Sequence, residues 1–170
     1  MSRIVALIAL SLFFLAQNPT LANAQNTWTL GKKTYQSDNV LPGSRMDVSG
    51  GPDTWTLSAS TVINDPAGST VASLEFSFST VGMPPAGRYK IVDLGEPRTK
   101  NTVSITANIS DPTNDIYAFS CTGGKGDQYI TVSIKDGRVM IQMPPTPATD
   151  NTMEKKEQMS ATLMQTEDAE

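Results

Sequence analysis

The segment YITVSIKDGRVMIQM, residues 129–143, decides the fold class of this chain. On both sides of Asp136-Gly137 the apolar residues occupy every second position, the pattern of a β-strand with one buried face. Asp-Gly tolerates the positive φ angles of a two-residue type I′ turn, so the segment predicts a β-hairpin. The turn also sets the register. The predicted pairs, all on one face, are Ile134 with Val139, Val132 with Ile141, and Ile130 with Met143.

The same alternation recurs along most of residues 26–143. It is clearest at residues 72–78, where alanine, leucine and phenylalanine alternate with serine and Glu75. No stretch of the chain after residue 24 has the spacing of an amphipathic helix of useful length. These patterns predict an all-β fold, an antiparallel two-sheet β-sandwich of about nine or ten short strands, with a partly closed β-barrel as the alternative.

Both tryptophans lie in copies of one motif, Thr-Trp-Thr-Leu, at residues 27–30 and 54–57. In each copy the tryptophan shares its parity with the leucine, so Trp28 and Trp55 are predicted to face the core. The tyrosines predicted to face outward are Tyr35 and Tyr129. Exposed aromatic rings are typical of sugar-binding β domains, but two tyrosines do not by themselves define a site.

Residues 1–24 have the three parts of a cleavable secretory signal peptide. Arg3 supplies the positive charge, Ile4–Leu15 is an apolar run, and Ala22-Asn23-Ala24 offers small side chains for cleavage before Gln25. An uncleaved membrane anchor is the alternative, but the run has twelve residues, whereas a spanning helix needs about 20. Because the residue directly after the cleavage site is Gln25 rather than a cysteine, we predict export to the periplasm or the exterior without a lipid or membrane anchor.

Cleavage would remove 24 of the 170 residues and leave 146, enough for one domain with a substantial core. We predict that the β-sandwich spans residues 25–143 and that Pro144-Pro145-Thr146-Pro147 ends its last strand. Residues 144–170 are then a proline-rich linker followed by a C-terminal edge strand or a disordered acidic tail. Residues 159–165 fit both strand and helix spacing, and residues 37–53 are predicted to form a long surface loop.

The charged and metal-binding residues exclude several function classes. The net charge of −4, or −5 without Arg3, opposes binding to nucleic acid and anionic lipid. The chain contains no histidine, which excludes Ser-His-Asp and Cys-His catalysis and histidine-ligated metals. With a single cysteine, Cys121, it can form neither an internal disulfide nor a cysteine-based zinc cluster. Cys121 is in phase with neighbouring aromatic residues and is predicted to be a small buried hydrophobe.

Carboxylates offer two further hypotheses. Asp111, Asn114 and Asp115 gather oxygen donors in one loop, a weak candidate for Ca²⁺, although Asp-Pro-x-Asn is also ordinary turn chemistry. A glycosidase needs two carboxylates across a cleft. Glu75 is the one acid inside a clear strand, and its phase places it on the outer face. No spacing brings it to a second acid, so no catalytic residue and no cofactor are predicted.

The chain resembles small exported all-β proteins of Gram-negative bacteria, of the kind found in Bacteroidota. The resemblance lies in TWTLGKKTY at 27–35, PPAGRYKIV at 84–92 and YITVSIKDGRVMI at 129–141, and it spans most of residues 26–165. It implies a sandwich-like fold and an envelope or extracellular location. Because these are strand and turn motifs, no functional residue carries over.

The leading hypothesis is a secreted or periplasmic, non-enzymatic β domain that binds a protein or glycan partner through its loops and one sheet face. The segments to search first are residues 37–53 and 110–115. The alternative is a small-molecule carrier with an apolar ligand inside a barrel. A carboxylate-dependent glycosidase is the weaker alternative.

Overall fold

A computed structural model of the protein describes residues 26–45, 54–96, 99–113, 115–123 and 128–166. The predicted signal peptide, Asn114 and the acidic residues 167–170 lie outside the described residues. The described chain contains eleven β-strands and no helix, which confirms the all-β class. The strands are β1 (Thr27–Leu30), β2 (Lys33–Gln36), β3 (Asn39–Arg45), β4 (Thr54–Asp65), β5 (Gly68–Phe78), β6 (Gly87–Ile91), β7 (Thr102–Ser110), β8 (Ile116–Cys121), β9 (Tyr129–Lys135), β10 (Arg138–Asp150) and β11 (Lys156–Met164).

Hydrogen-bonded ladders join all eleven strands into one mixed sheet, in the order β2-β1-β11-β10-β9-β6-β7-β5-β4-β3. β8 lies off this path and pairs with both β7 and β10. The ladders of β6, β7, β8, β10 and β9 therefore form a closed ring. The prediction of two separate antiparallel sheets is not met, because the ladders are continuous and the β6–β7 pair is parallel.

The β9–β10 hairpin has the predicted turn and register. Asp136 and Gly137 have φ angles of 51° and 77°. The ladder pairs Ile134 with Val139 and Val132 with Ile141 and ends one step before Ile130 and Met143, which are both buried. Ile134 is nevertheless 40% exposed, and it lies beyond the part of β9 that pairs with β6, residues 129–132.

The prediction that Pro144–Pro147 ends a strand is wrong, since β10 continues through the prolines to Asp150. Its first part pairs with β9, and Ala148–Asp150 pair with β8. Between Met143 and Thr146 the ladder with β11 has an irregularity. Prolines cannot donate ladder hydrogen bonds, but they are tolerated here because Pro144 and Pro145 lie where one neighbour has ended and the next has not begun.

β11 is a strand, one of the two alternatives for the C-terminal segment, but it is not an edge strand. It lies between β1 and β10, and its residues Met159 and Leu163 are fully buried. The partner that covers its second edge, β1, comes from the other end of the described chain. Local sequence carries no signal of such a pairing.

The predicted loop at residues 37–53 is partly a strand. β3 pairs with residues 54–60 of β4 along its whole length, and Val40 is buried. Pro42 and Gly43 hide the strand in the sequence, and they are tolerated because β3 ends the path of the sheet. Residues 46–53 lie outside the described residues.

The inward-facing apolar residues of all eleven strands form one continuous core. The core includes Trp28 and Trp55, as the two Thr-Trp-Thr-Leu motifs predict. It also includes Cys121, which confirms the prediction of a buried thiol.

Candidate functional site

The loop predicted as a weak calcium site is held together by its own hydrogen bonds. Asp111 Oδ1 accepts bonds from the amide of Thr113 at 3.0 Å, the hydroxyl of Thr113 at 2.7 Å and the amide of Asp115 at 3.1 Å. The Thr113 hydroxyl bond, together with these amides and the charge of Lys33, lowers the pKa of Asp111. This is the turn chemistry that the sequence offers as the other interpretation.

Metal binding gains no support elsewhere in the part of the chain that the structure describes. No group of three or more histidine, cysteine or acidic side chains is placed there to hold an ion. Asn114, the third predicted donor, lies outside the described residues.

Cys121 and Glu75, the two other side chains considered for chemistry, have surroundings typical of residues with a structural role. Burial raises the pKa of Cys121 to about 12, so its thiol stays protonated at neutral pH, and its Sγ lies 3.8 Å from Sδ of Met159. Glu75 faces outward, where it accepts a hydrogen bond from Ser77 at 3.1 Å and lies 3.7 Å from Nη1 of Arg45.

Tyr129 is half-buried on the outer side of the sheet. The guanidinium carbon of Arg88 lies 4.3 Å from the centre of its ring. The pair borders a shallow depression of about 450 Å³ that also includes Gln142 and Thr162. One face of this ring is therefore covered by a cation.

Tyr35, the other tyrosine predicted to face outward, is 2% exposed, so that prediction is wrong. The β1–β2 ladder pairs Tyr35 directly with Trp28, which places both side chains on the core face. Their rings stack with centroids 4.1 Å apart and an interplanar angle of 19°. The sequence does contain a signal: Gly31-Lys32 is a two-residue hairpin turn, and Gly31 has the positive φ of 59° that such a turn requires.

Tyr35 forms part of the wall of a cleft of about 560 Å³, which we call the Tyr35 cleft. The cleft lies between the β1–β2 and β10–β11 turns on one side and β5, β7 and β8 on the other. Its buried wall residues are Leu30, Tyr35, Ile109 and Phe119, and Thr70 and Tyr117 are half-buried. The other lining residues are Lys32, Lys33, Asp111, Lys155 and Glu157.

The register explains why charged residues line this cleft. Lys33 lies opposite Leu30, and Glu157 lies opposite the buried Ala148, so both belong to the face of the sheet that carries the core. Tyr117 lies opposite Ile109 in the same way. The cleft is thus the continuation of the core at one end of the sheet, where charged side chains replace the apolar residues that would fill it.

The rim of the cleft carries three cations and two carboxylates. The ammonium of Lys155 lies 4.6 Å from the centre of the Tyr117 ring. Glu157 packs over Gly31, where any larger residue would overlap its carboxylate. Asp111 stands at this rim, so the 110–115 segment predicted as a binding loop does contribute to the cleft.

Two buried polar atoms of the Trp28–Tyr35 stack have no hydrogen-bond partner among the described residues. They are the Tyr35 hydroxyl and the Nε1 of Trp28, the ring stacked on it. Buried polar groups are normally bonded, and an exception indicates a bridging water, a ligand or a functional role. Burial raises the pKa of Tyr35, so its hydroxyl remains a donor at neutral pH.

Within the described ranges, no helix has the length and apolar character needed to cross a membrane. No protein-family model, curated protein or solved structure matches this chain.

Proposed function

We propose that this protein is an exported, non-enzymatic binding module that holds a small ligand in the Tyr35 cleft. The observation that carries the proposal is the cleft itself, an open cavity of about 560 Å³ whose buried apolar wall is ringed by charged side chains. Tyr35, one of its wall residues, also has a buried hydroxyl without a partner among the described residues. Only a ligand that displaces the side chains covering this hydroxyl would accept its hydrogen bond and remove the cost of burying it unpaired.

The size and lining of the cleft support a small-molecule ligand. Ligand pockets are typically about 300–1,000 Å³, largely apolar, with a few polar groups that fix orientation. The Tyr35 cleft has this volume, with buried leucine, isoleucine and phenylalanine in its wall and charged side chains at its rim. The absence of histidine from the sequence and the protonated Cys121 thiol favour binding over catalysis.

The architecture supports a ligand at the open end rather than deep inside. The closed ring of ladders around β8 favours the partly closed barrel over the two-sheet sandwich as the finer description of the fold. The interior between the strands holds a continuous cluster of apolar side chains. The carrier hypothesis is therefore best supported in a modified form, with the ligand at the mouth of the core.

A fluorescence titration with the neutral probe N-phenyl-1-naphthylamine tests the cleft directly. Thr70→Trp places a large ring in the cleft from a half-buried position on β5, and Ser133→Trp places the same ring at an exposed position on β9. We expect the unaltered protein and Ser133→Trp to bind the probe equally and Thr70→Trp to bind it at least about tenfold more weakly, a loss of about 1.4 kcal/mol. Equal binding by all three proteins, or no binding by any, would contradict the proposal.

Export has its own test. Mass spectrometry of the secreted protein should find Gln25 as the N-terminal residue, because cleavage is expected after Ala24. A mature N-terminus at Met1 or Ser2 would refute the signal peptide without bearing on the cleft.

A further inference from the structure

We infer that the ligand of the Tyr35 cleft is a small amphipathic anion: an apolar body carrying one negative group, which lies between Lys32, Lys33 and Lys155. This inference rests on the proposed binding function and adds the chemical class of the ligand.

The charges around the cleft favour a negative group. The mature chain is expected to carry a net charge of −5 after loss of Arg3, yet three lysines and two acids line the cleft. No salt bridge among the described residues involves Lys32, Lys33 or Lys155. Lys155 contacts the Tyr117 ring and the charge of Lys33 acts on Asp111, but neither ammonium is held in an ion pair with a described residue.

The two carboxylates offset part, but not all, of the lysine charge. Asp111 Oδ1 is occupied by three hydrogen bonds within its own loop. Glu157 packs over Gly31 at the β1–β2 turn. With three ammonium groups and two carboxylates, the charges that line the cleft sum to +1, so an anion meets the favourable sign of the local field.

The distribution of polar and apolar groups favours an amphipathic ligand. Lys32 and Lys33 belong to the β1–β2 hairpin and Lys155 to the β10–β11 turn, so the cations come from two different turns. Leu30, Ile109 and Phe119 supply the buried apolar wall.

Two matched dyes test this inference. 8-Anilinonaphthalene-1-sulfonate and N-phenyl-1-naphthylamine share one apolar body, and the first carries a sulfonate. We expect the sulfonate dye to bind more tightly to the unaltered protein at low salt. We also expect its affinity, but not that of the neutral dye, to fall as NaCl is raised from about 0.02 to 0.5 M, because salt screens exposed charges.

Charge-removing variants locate the effect. Lys33→Gln and Lys155→Gln should each weaken the sulfonate dye roughly two- to fivefold and leave the neutral dye unchanged, the size expected for partly exposed charge pairs. Arg88→Gln removes a cation from the depression beside Tyr129 and is the matched control, with no expected effect on either dye.

The outcomes separate the two proposals. If both dyes bind in a Thr70-dependent way but the sulfonate gives no advantage and the lysine variants change nothing, the anion inference is overturned and the binding function stands. If neither dye binds, both are overturned. An equal loss of sulfonate binding in Arg88→Gln would place the anion on the outer face and also overturn the inference.

Discussion

The aromatic clusters around the two copies of Thr-Trp-Thr-Leu differ in whether their buried polar groups have hydrogen-bond partners. Trp28 stacks on Tyr35, and the indole nitrogen and the tyrosine hydroxyl are both buried without a partner among the described residues. Trp55 instead contacts Phe78, with ring centres 5.8 Å apart, and Phe78 meets Tyr89 edge to face at 5.1 Å and 88°. The Tyr89 hydroxyl donates to the carbonyl of Pro85 at 2.8 Å.

This difference is one basis of the proposal that the Trp55 cluster is structural and the Trp28 cluster belongs to a binding site. Both tyrosines are 2% exposed, and burial raises the pKa of each. In the Trp55 cluster the fold supplies the acceptor for the buried hydroxyl. In the Trp28 cluster no described residue accepts a hydrogen bond from the buried hydroxyl, and Tyr35 forms part of the wall of an open cleft.

The largest expected effect comes from removing the centre of the Trp55 cluster. Phe78→Ala should lower the free energy of unfolding by about 3–5 kcal/mol, because Phe78 is fully buried between Trp55 and Tyr89. Urea unfolding followed by circular dichroism measures the change. Val62→Ala, at a 60% exposed position on β4, is the control and should change stability by less than about 0.5 kcal/mol. A small loss in Phe78→Ala would mean that this cluster is not the structural one.

Tyr89→Phe should lower the free energy of unfolding by about 1 kcal/mol, since it removes the hydrogen bond to Pro85 and leaves that carbonyl without the hydroxyl donor. The ring and its contact with Phe78 are retained, so the variant isolates the hydroxyl. The same urea titration measures it, and a neutral or stabilising result would show that the bond contributes nothing.

Tyr35→Phe should change the free energy of unfolding in the opposite direction. Removing a buried hydroxyl without a described partner should raise the free energy of unfolding of the ligand-free protein by about 1 kcal/mol. The stacked contact with Trp28 is preserved. If Tyr35→Phe destabilises the protein as much as Tyr89→Phe does, the hydroxyl is already bonded in the free protein, and the contrast between the two clusters disappears.

The smallest expected effect concerns the β10–β11 turn, which carries Lys155 to the cleft. Burial alone would raise the pKa of Asp150, but bonds from the amide of Lys155 at 3.1 Å, the hydroxyl of Thr152 at 2.8 Å and the amide of Glu154 at 3.0 Å lower it below 3.8. A carboxylate with a lowered pKa contributes stability that is present above its ordinary pKa and is lost as pH falls through the lowered value.

Asp150→Asn should therefore flatten the loss of stability below pH 3.8, measured by thermal unfolding at a series of pH values. Asn151→Ala, in the same turn, is the control, because Asn151 donates to the carbonyl of Ala118 through its backbone amide, which the substitution keeps. An unchanged acid profile in Asp150→Asn would show that this turn does not depend on the charge.

Local sequence is sufficient wherever a residue's neighbours along the chain decide its environment. The Asp136-Gly137 turn sets the register of β9 with β10, and parity places Trp28, Trp55 and Cys121 in the core. Local sequence is insufficient where a strand distant in the chain decides a residue's environment. Pro144 and Pro145 suggest a strand end unless one knows that β10 changes its neighbour from β9 to β8 at that point.

The candidate site shows the same division. Asp111 belongs to a segment predicted as a binding loop, and it does stand at the rim of the Tyr35 cleft. Lys33, Thr70 and Lys155 carry no signal in the sequence, because they come from three hairpins that are far apart along the chain. Parity alone predicts the wrong face for Tyr35, since the turn at Gly31-Lys32 pairs it with the inward-facing Trp28.

By itself the sequence determined the all-β class, the β9–β10 register, the burial of both tryptophans and the absence of histidine chemistry. These follow from side-chain type, two-residue periodicity and turn geometry, which act over a few residues. Only the tertiary structure decided that β11 lies between β1 and β10, that β8 closes a ring of ladders, and that a cleft opens beside Tyr35. Those features depend on pairings between strands far apart in the chain. The stability of such pairings comes from side chains of different strands packing against one another, which the sequence of one segment does not reveal.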